Sequence, residues 1–359
     1  MTSEEANEAA VEGIRRVLPR AEVVQIPVSD GGEGFIDAFR AAIGGEVVEV
    51  AVRDPLMRPV TARYLAQGTK AVIETAQASG LTLLSEDERN PMVATSYGTG
   101  QMVADAVRRG ARHIIVGLGG SATSDAGIGM LRALTDAFAN DGTWDDIACL
   151  REVRFTIASD VSNPLYGEQG AARVFAPQKF AAQHRGALPS LIAALDERAR
   201  KFAEVSALHF GYDRSGMAGA GAAGGLGYAF LQYLNADCKP GIQLLLDTIG
   251  FSATASDASL VITGEGSADR QTLMGKLPVG ILRQAGQTPV CLIAGRVSDR
   301  PLLLQAGFAQ AVCINPPGTP PEEAMRKDVA RRNISDTVSR LVTHLIIYKA
   351  KGHGDRRLA

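Results

Sequence analysis

Three short apolar runs in the last third of the chain, Leu260-Val261-Ile262, Val290-Cys291-Leu292-Ile293 and Ala311-Val312-Cys313-Ile314, are spaced so that each gap holds one crossover helix. Runs this short and this rich in β-branched residues predict strands, and gaps this long exclude hairpins. The pattern therefore predicts an α/β protein with a parallel, doubly wound sheet. In such sheets ligands bind beyond the carboxyl ends of the strands, so the residues that follow each run carry the argument about function.

The N-terminal segment has the same rhythm. Thr2-Ser3-Glu4-Glu5 is a capping box, and Ala9, Val11, Ile14, Val17 and Leu18 follow at near-helical spacing up to Pro19. Val23 to Val28 reads as a strand, Ser29 to Gly34 as a glycine-rich turn and Phe35 to Ile43 as a helix. Between them and the last third the pattern changes. Val47 to Val52, Pro59 to Tyr64 and Ala71 to Glu74, separated by Asp54-Pro55 and Gln67-Gly68, predict closely spaced antiparallel strands. His113 to Val116 and Phe155 to Ala158 read as further strands, and Leu188 to Phe202 as a helix. The two ends of the chain thus form one domain, residues 1–46 and 250–345. A second α/β domain, residues 47–249, is inserted into it, and residues 346–359 form a polar, flexible tail.

Composition removes several function classes. The 359 residues are 46% hydrophobic, enough for two cores, and 37 basic against 39 acidic residues leave a formal charge of −2 with no basic patch for nucleic acid. The four cysteines form no Cys-x-x-Cys pair, which argues against a disulfide framework or a zinc site and for a reducing cytoplasm. No stretch approaches the roughly 20 apolar residues of a membrane span, and an acidic start is unlike a signal peptide.

Glycines concentrate after the predicted strands. Asp30-Gly31-Gly32-Glu33-Gly34 lets the backbone approach an anion and leaves two carboxylates for a metal ion or a proton; the same residues also suit an ordinary tight turn. After the 113–116 strand, Gly117 to Gly129 includes Gly119, Gly120, Ser121 and Thr123, small residues that can present amides to a phosphate. Gly117-x-Gly119-x-x-Ala122 also matches a loose dinucleotide fingerprint, but Asp136 and Asp141, the acids at the right distance, end no strand. Asp160 and Asn163 follow the 155–158 strand, where a carboxylate could accept a substrate hydroxyl proton or merely cap a turn. Lys179, in Pro177-Gln178-Lys179, offers a charge to a carboxylate or phosphate. The run from Ala218 to Gly227, with Gly221, Gly224 and Gly225, predicts close backbone approach to a ligand or to another helix. Beyond the 260–262 strand, Thr263-Gly264-Glu265-Gly266-Ser267-Ala268-Asp269-Arg270-Gln271-Thr272, with Gly275-Lys276, assembles the carboxylates, hydroxyls and lysine that magnesium and phosphate require; it is not a Walker A motif.

These segments, in this order, together with Ser96-Tyr97-Gly98-Thr99-Gly100 and Asn235-Ala236-Asp237-Cys238-Lys239-Pro240-Gly241, resemble the type I glycerate kinase family over nearly the whole chain. The resemblance implies a flavodoxin-like domain with an inserted α/β domain, a site in the cleft between them, and ATP- and Mg2+-dependent phosphorylation of glycerate, typically to 2-phosphoglycerate. Glycerate and ATP are then the partners, and a homodimer is compatible with it. Asp160, Lys179 and Lys276 become the candidate catalytic residues and Glu265 and Asp269 the candidate metal ligands. Asp30, Gly31, Gly32, Glu33, Gly98, Thr99, Gly119, Gly120, Ser121, Thr123, Asn163, Gly221, Gly224, Gly225, Gln271 and Thr272 become the candidate binding positions. The chain departs from the family pattern at Ser267, where Arg is common, at Ala126, Ala176 and Phe180, where Gly is, and at Gln101, where Glu is. The family pattern also opens with a strand and Asp-Ser-Phe-Lys-Gly-Ser-Leu ahead of the first helix seen here. That difference motivates a rival reading as a non-catalytic binder; the dinucleotide fingerprint motivates another as a nicotinamide-dependent dehydrogenase.

Overall fold

The computed structural model describes residues 1–28, 34–274 and 277–350. Contacts divide the chain into two compact units, Met1–Val28 with Leu245–Ala359, and Ser29–Leu244.

The terminal unit holds α1 (Ser3–Val17) from the start of the chain, and the larger unit holds α2 (Phe35–Ile43), β1 (Glu46–Arg53), β2 (Pro59–Gln67), β3 (Lys70–Glu74) and α3 (Ala76–Ser79). The larger unit continues with α4 (Tyr97–Arg108), β4 (His113–Gly117), α5 (Ile128–Phe138), β5 (Arg154–Ala158), α6 (Ala171–Phe175), α7 (Leu188–Phe210), α8 (Ala222–Leu234) and β6 (Asp237–Lys239). The division at Leu244 falls inside α9 (Gly241–Thr248). The terminal unit resumes with α10 (Phe251–Asp257), β7 (Val261–Ala268), α11 (Leu277–Gln284), β8 (Val290–Val297), α12 (Arg300–Gln305), β9 (Gln310–Cys313), α13 (Pro321–Ala324) and α14 (Lys327–Ala350).

In the larger unit six strands form one sheet in sequence order. β1, β2 and β3 pair antiparallel, as the turn spacing predicts, and β3 to β6 continue parallel. The middle strands are buried on both faces: Val72, Ile73, Ile114, Val116, Phe155 and Ile157 are almost inaccessible, which is why they read as continuous apolar runs rather than alternating ones. Met102 and Val103 of α4, Met130 and Leu134 of α5 and Tyr228 and Phe230 of α8 complete this core. The unit takes in α2, whose Phe35, Ile36 and Phe39 are fully buried and whose Asp37 pairs with Arg63 of β2 at 2.9 Å. A boundary near residue 46 would have left that helix with the terminal segments.

In the terminal unit β7, β8 and β9 are parallel neighbours in that order, confirming the α/β reading of the three apolar runs. α1 starts on the predicted capping box: Glu5 N–H donates to Thr2 Oγ1 at 3.2 Å and Thr2 N–H to Glu5 Oε2 at 2.9 Å. It packs on α14 with Ala9, Ile334, Val338, Leu341 and Val342, which cover Cys291 and Ile293 of β8. The crossing is tight: a Cβ on Gly13 would lie 2.3 Å from the Ser335 carbonyl oxygen.

Two sequence expectations change. Val23 to Val28 is not a strand, because a β-branched run needs a neighbouring ladder and this one has none among the described residues; Val28 N–H donates instead to Ser3 Oγ at 3.0 Å. The helix α14 continues to Ala350, so residues 346–350, expected in a flexible tail, are helical, and 351–359 lie outside the described residues.

Candidate active site

The carboxyl ends of β3, β4 and β5 open on the same edge of the larger sheet, because these strands run parallel in register. The loop after β4 is tied first to β3: Gly117 carbonyl accepts from Thr75 N–H and Thr75 Oγ1, both at 3.0 Å. Gly120 turns the chain with a left-handed φ of 73° and its carbonyl accepts from Leu81 N–H at 2.9 Å. Ser121 and Thr123 are buried and share a hydroxyl–hydroxyl bond of 2.9 Å, while Ser121 Oγ also accepts from Thr123 N–H at 3.1 Å. The hydroxyls thus shape the loop.

The glycine-rich run before α8 packs directly on this loop. Ala223, Gly224 and Gly225 are successively left-handed, with φ of 51°, 67° and 91°. A Cβ on Gly224 would lie 1.9 Å from the Thr123 carbonyl oxygen, so the backbones touch where no side chain fits. Ala126 N–H donates to the Gly224 carbonyl at 3.1 Å and is itself left-handed, φ 54°. Gly221 N–H donates to the Asn163 carbonyl at 2.9 Å, and a Cβ there would meet the Pro164 carbonyl oxygen at 2.4 Å. The close approach expected of this run is therefore, at Gly221 and Gly224, an approach to other loops of the same unit.

Lys179 lies at the base of this assembly. Pro177-Gln178-Lys179 forms a single tight helical turn that directs the side chain inward, where it is 5% exposed. Its Nζ donates to the Thr123 carbonyl at 2.7 Å. Burial lowers its pKa from 10.5 to about 8, opposed by the attraction of Asp125. Asp125 is buried and accepts from Ser96 N–H and Ser96 Oγ, each at 2.8 Å, and from the amides of Gly127 and Gly129, each at 3.1 Å. It fixes the N-terminal ends of α4 and α5, and no carboxylate is hydrogen-bonded to the ammonium among the described residues. Arg198, from α7, donates to the carbonyls of Ser124 at 2.7 Å and Met92 at 3.2 Å. Glu74 is buried at the carboxyl end of β3, opposite Gly117 in register.

The remaining predicted positions divide clearly. Asp160 is exposed two residues beyond β5, and its charge, after burial, helps push the Cys238 thiol up. Asn163 uses its side-chain amide to hold the Gln169 carbonyl at 2.8 Å, a loop-shaping bond. Gly98 and Thr99 lie in the packed interior: a Cβ on Gly98 would meet the Arg53 carbonyl oxygen at 1.9 Å, and Thr99 Oγ1 is paired with Ser79 Oγ at 2.7 Å. Both are packed positions in this unit. Asp30, Gly31, Gly32, Glu33 and Lys276 lie outside the described residues.

In the terminal unit the loop after β7 folds on itself. Buried Thr272 donates from Oγ1 to Glu265 Oε1 at 2.5 Å and accepts from Asp269 N–H at 3.0 Å, while Asp269 Oδ1 accepts from Gln271 N–H at 2.8 Å. Glu265, Asp269, Gln271 and Thr272 are thus brought together, as their clustering in sequence predicts. No group of three or more metal-capable side chains occurs among the described residues. Magnesium that arrives on a nucleotide takes most of its ligands from phosphate and water, so one or two carboxylates suffice, and Glu265 and Asp269 are of the hard oxygen type it prefers.

Sequence reasoning missed Ser96, Asp125 and Arg198. Ser96 and Asp125 stood inside motifs already singled out, Ser96 to Gly100 and Gly117 to Gly129, but their meeting depends on α4 lying against α5. Arg198, one of many charges on a long helix, carried no local signal.

A mixed sheet whose parallel strands carry loops around a buried ammonium at their carboxyl ends belongs to the α/β class, in which ligands bind beyond those ends. Comparison with known proteins is specific. Residues 1–346 match the Glycerate kinase family, and the chain belongs to it. It is 39% identical over 343 residues to a glycerate kinase of Bacillus subtilis (strain 168), covering 89% of this chain and 88% of that protein. It is 39% identical over 323 residues to the glycerate 2-kinase of Escherichia coli (strain K12), covering 83% of each. A crystal structure assigned as glycerate kinase 2 from Salmonella typhimurium LT2 superposes with a TM-score of 0.81 at 33% identity, covering 98% of this chain and 96% of that one.

The structure also explains two departures from the family pattern. Phe180 has an extended backbone, φ −94°, that needs no glycine, and its ring packs with Ala172, Ala176 and Leu195. Gln101 Oε1 accepts from Arg53 N–H at 2.8 Å, an acceptor role that Glu would fill as well.

The dehydrogenase reading fails on geometry. A dinucleotide turn leads straight into a helix, but α5 begins eleven residues after Gly117. Asp136 lies within α5 and accepts from the Tyr97 hydroxyl at 2.8 Å.

Proposed function

We infer that this protein is a kinase that transfers a phosphoryl group from ATP to glycerate, releasing ADP. The family match over residues 1–346 supports the activity. The observation in the site that carries it is the Lys179 ammonium, a buried cation held among the described residues by a carbonyl oxygen, which calls for an anionic partner.

The finer reading assigns roles. The loop of Gly119, Gly120, Ser121 and Thr123, braced by Gly221, Gly224 and Gly225, presents backbone toward phosphate oxygens. Asp160, exposed beyond β5, orients or accepts the proton of the attacking glycerate hydroxyl, and Lys179 compensates negative charge. Catalysis then rests on positioning and electrostatics, since phosphoryl transfer asks for little covalent help from the protein. Glu265 and Asp269 would hold magnesium, which when bound neutralises charge on the phosphates. The product assigned is 2-phosphoglycerate. The four free cysteines, together with ATP as donor, favour the cytoplasm, and no helix among the described residues is long and apolar enough to cross a membrane.

One assay tests the activity and the product. ATP, magnesium and D-glycerate are supplied, ADP release is coupled to a spectrophotometric readout, and the phosphorylated carbon is identified by phosphorus NMR. ADP release dependent on glycerate is expected. Glycerate binding without ADP release would favour the binder reading instead, and phosphate on the third carbon would overturn the product assignment.

A further inference from the structure

Buried polar atoms are almost always partnered, so those that are not mark candidate places for a ligand. Two such atoms lie on linked segments of the larger unit: Arg89 Nε and Ser124 Oγ have no hydrogen-bond partner among the described residues. A third group reaches the residue before Ser124. The Lys179 ammonium carries three N–H donors, and the Thr123 carbonyl takes one.

Hydrogen bonds bring the segments that carry the three together. The Arg89 carbonyl accepts from Ala181 N–H at 2.7 Å, two residues beyond Lys179. Arg198 ties Met92, three residues beyond Arg89, to Ser124 through one guanidinium. Neither Arg89, Lys179 nor Arg198 pairs with a carboxylate among the described residues, and the nearby acids are engaged. Glu88 is held by Arg58 at 2.6 Å and by Ser85 N–H at 3.1 Å, and Asp125 is filled by four donors.

We propose that Arg89, with Ser124 and Lys179, receives the carboxylate of the acceptor hydroxy-acid and so sets specificity for an acid over a neutral polyol. The proposal rests on the reading of this chain as a glycerate kinase. A guanidinium offers parallel N–H donors that match the two coplanar oxygens of a carboxylate, a serine hydroxyl adds a third donor, and a buried ammonium supplies charge where water does not screen it. Ser124 and Lys179 are buried and Arg89 is half-buried with its Nε inaccessible, a setting that suits a small anion better than a triphosphate carrying its metal.

The experiment compares R89Q and S124A with the parent in steady-state kinetics, varying D-glycerate and ATP separately and adding glycerol as the acceptor that lacks a carboxylate. Losing a hydrogen bond to a charged group costs enough to raise KM for glycerate about 10- to 100-fold in R89Q, and a smaller rise of about 3- to 10-fold is expected in S124A. KM for ATP should stay within about twofold, and R89Q should lose most of the preference for glycerate over glycerol. A rise in KM for ATP in place of glycerate would overturn the proposal and assign the site to a nucleotide phosphate; unchanged constants in a natively folded R89Q would also overturn it. If R89Q does not fold, S124A decides alone. If the parent releases no ADP with glycerate, the functional reading fails by itself, and titration calorimetry of D-glycerate into parent and variant still shows whether Arg89 binds the carboxylate.

Discussion

Burial holds the Lys179 ammonium near the point of losing its proton, and both activity and stability should report it. Its pKa of about 8 in the folded chain lies below the ordinary 10.5, so between these values the unfolded chain binds more protons. Stability contributed by this group therefore rises with pH across that window, and below pH 8 the charged, buried form is the destabilising one. Activity runs the other way, because the cation is what an anionic substrate needs. We expect kcat/KM for glycerate to fall as pH rises through about 8, and the falling limb to move to higher pH in K179R. A profile flat to about pH 10 would remove Lys179 from substrate binding. The variant K179M should melt at or above the parent temperature at pH 7 while losing at least about 100-fold in kcat/KM, since a buried charge is removed together with its function. Marked destabilisation would show that Lys179 is chiefly structural. The lysine itself was legible as a candidate; its burial was not, because Pro177-Gln178-Lys179 looks like surface loop until the Thr123 carbonyl is placed beneath it. Ala126 gives the converse lesson. Its left-handed φ of 54° supplies the physical reason for glycine at that position in the family pattern, and A126G should raise stability by up to about 1 kcal/mol in chemical denaturation. A loss of stability would mean that the methyl group packs better than its backbone is strained.

Loops and elements behave differently from single residues, because here a glycine can be required for two separate reasons. Gly110 and Gly224 are both left-handed, with φ of 93° and 67°, but a Cβ on Gly110 meets nothing within 4 Å whereas one on Gly224 meets the carbonyl that holds Lys179. G110A should therefore cost about 1 kcal/mol, the backbone term alone, while G224A should cost about 3 kcal/mol or more and abolish activity by displacing Thr123. Equal costs in denaturant titration would show that the loop relaxes freely and that its close packing is incidental. The strands β3, β4, β5, β7, β8 and β9 were readable because a parallel strand leaves a continuous apolar run. Val23 to Val28 was misread for the same reason, since the run records a preference for extension and a strand also needs a partner. β6 is only three residues long and carried no pattern of its own; it pairs with β5 from Thr156 to Ala158.

At the scale of the whole molecule, the large core cluster and that of the terminal unit share no residue among those described. The large cluster, from Val48 to Ala236, draws only on the larger unit, and the cluster of Ala9, Cys291, Ile293, Ile334 and Val338 only on the terminal one. The terminal unit nonetheless depends on both chain ends, because α1 packs on α14. Closing a loop of about two hundred residues costs little more than closing one of about a hundred, as each doubling adds about 0.6 kcal/mol, so this packing does not need the inserted unit to be folded. The units should consequently unfold as separate cooperative blocks. G13A tests this, since its Cβ would meet the Ser335 carbonyl oxygen at 2.3 Å and force α1 from α14. Calorimetry should show one transition lowered and the other unmoved, and hydrogen exchange should speed up at Cys291 and Ile293 while Ile114 and Val116 keep their protection. If both transitions fell together, or if Ile114 and Val116 lost protection in step with Cys291, the two cores would have to be treated as a single folding unit, and the division of the chain at Val28 and Leu244 would describe geometry without energetic meaning.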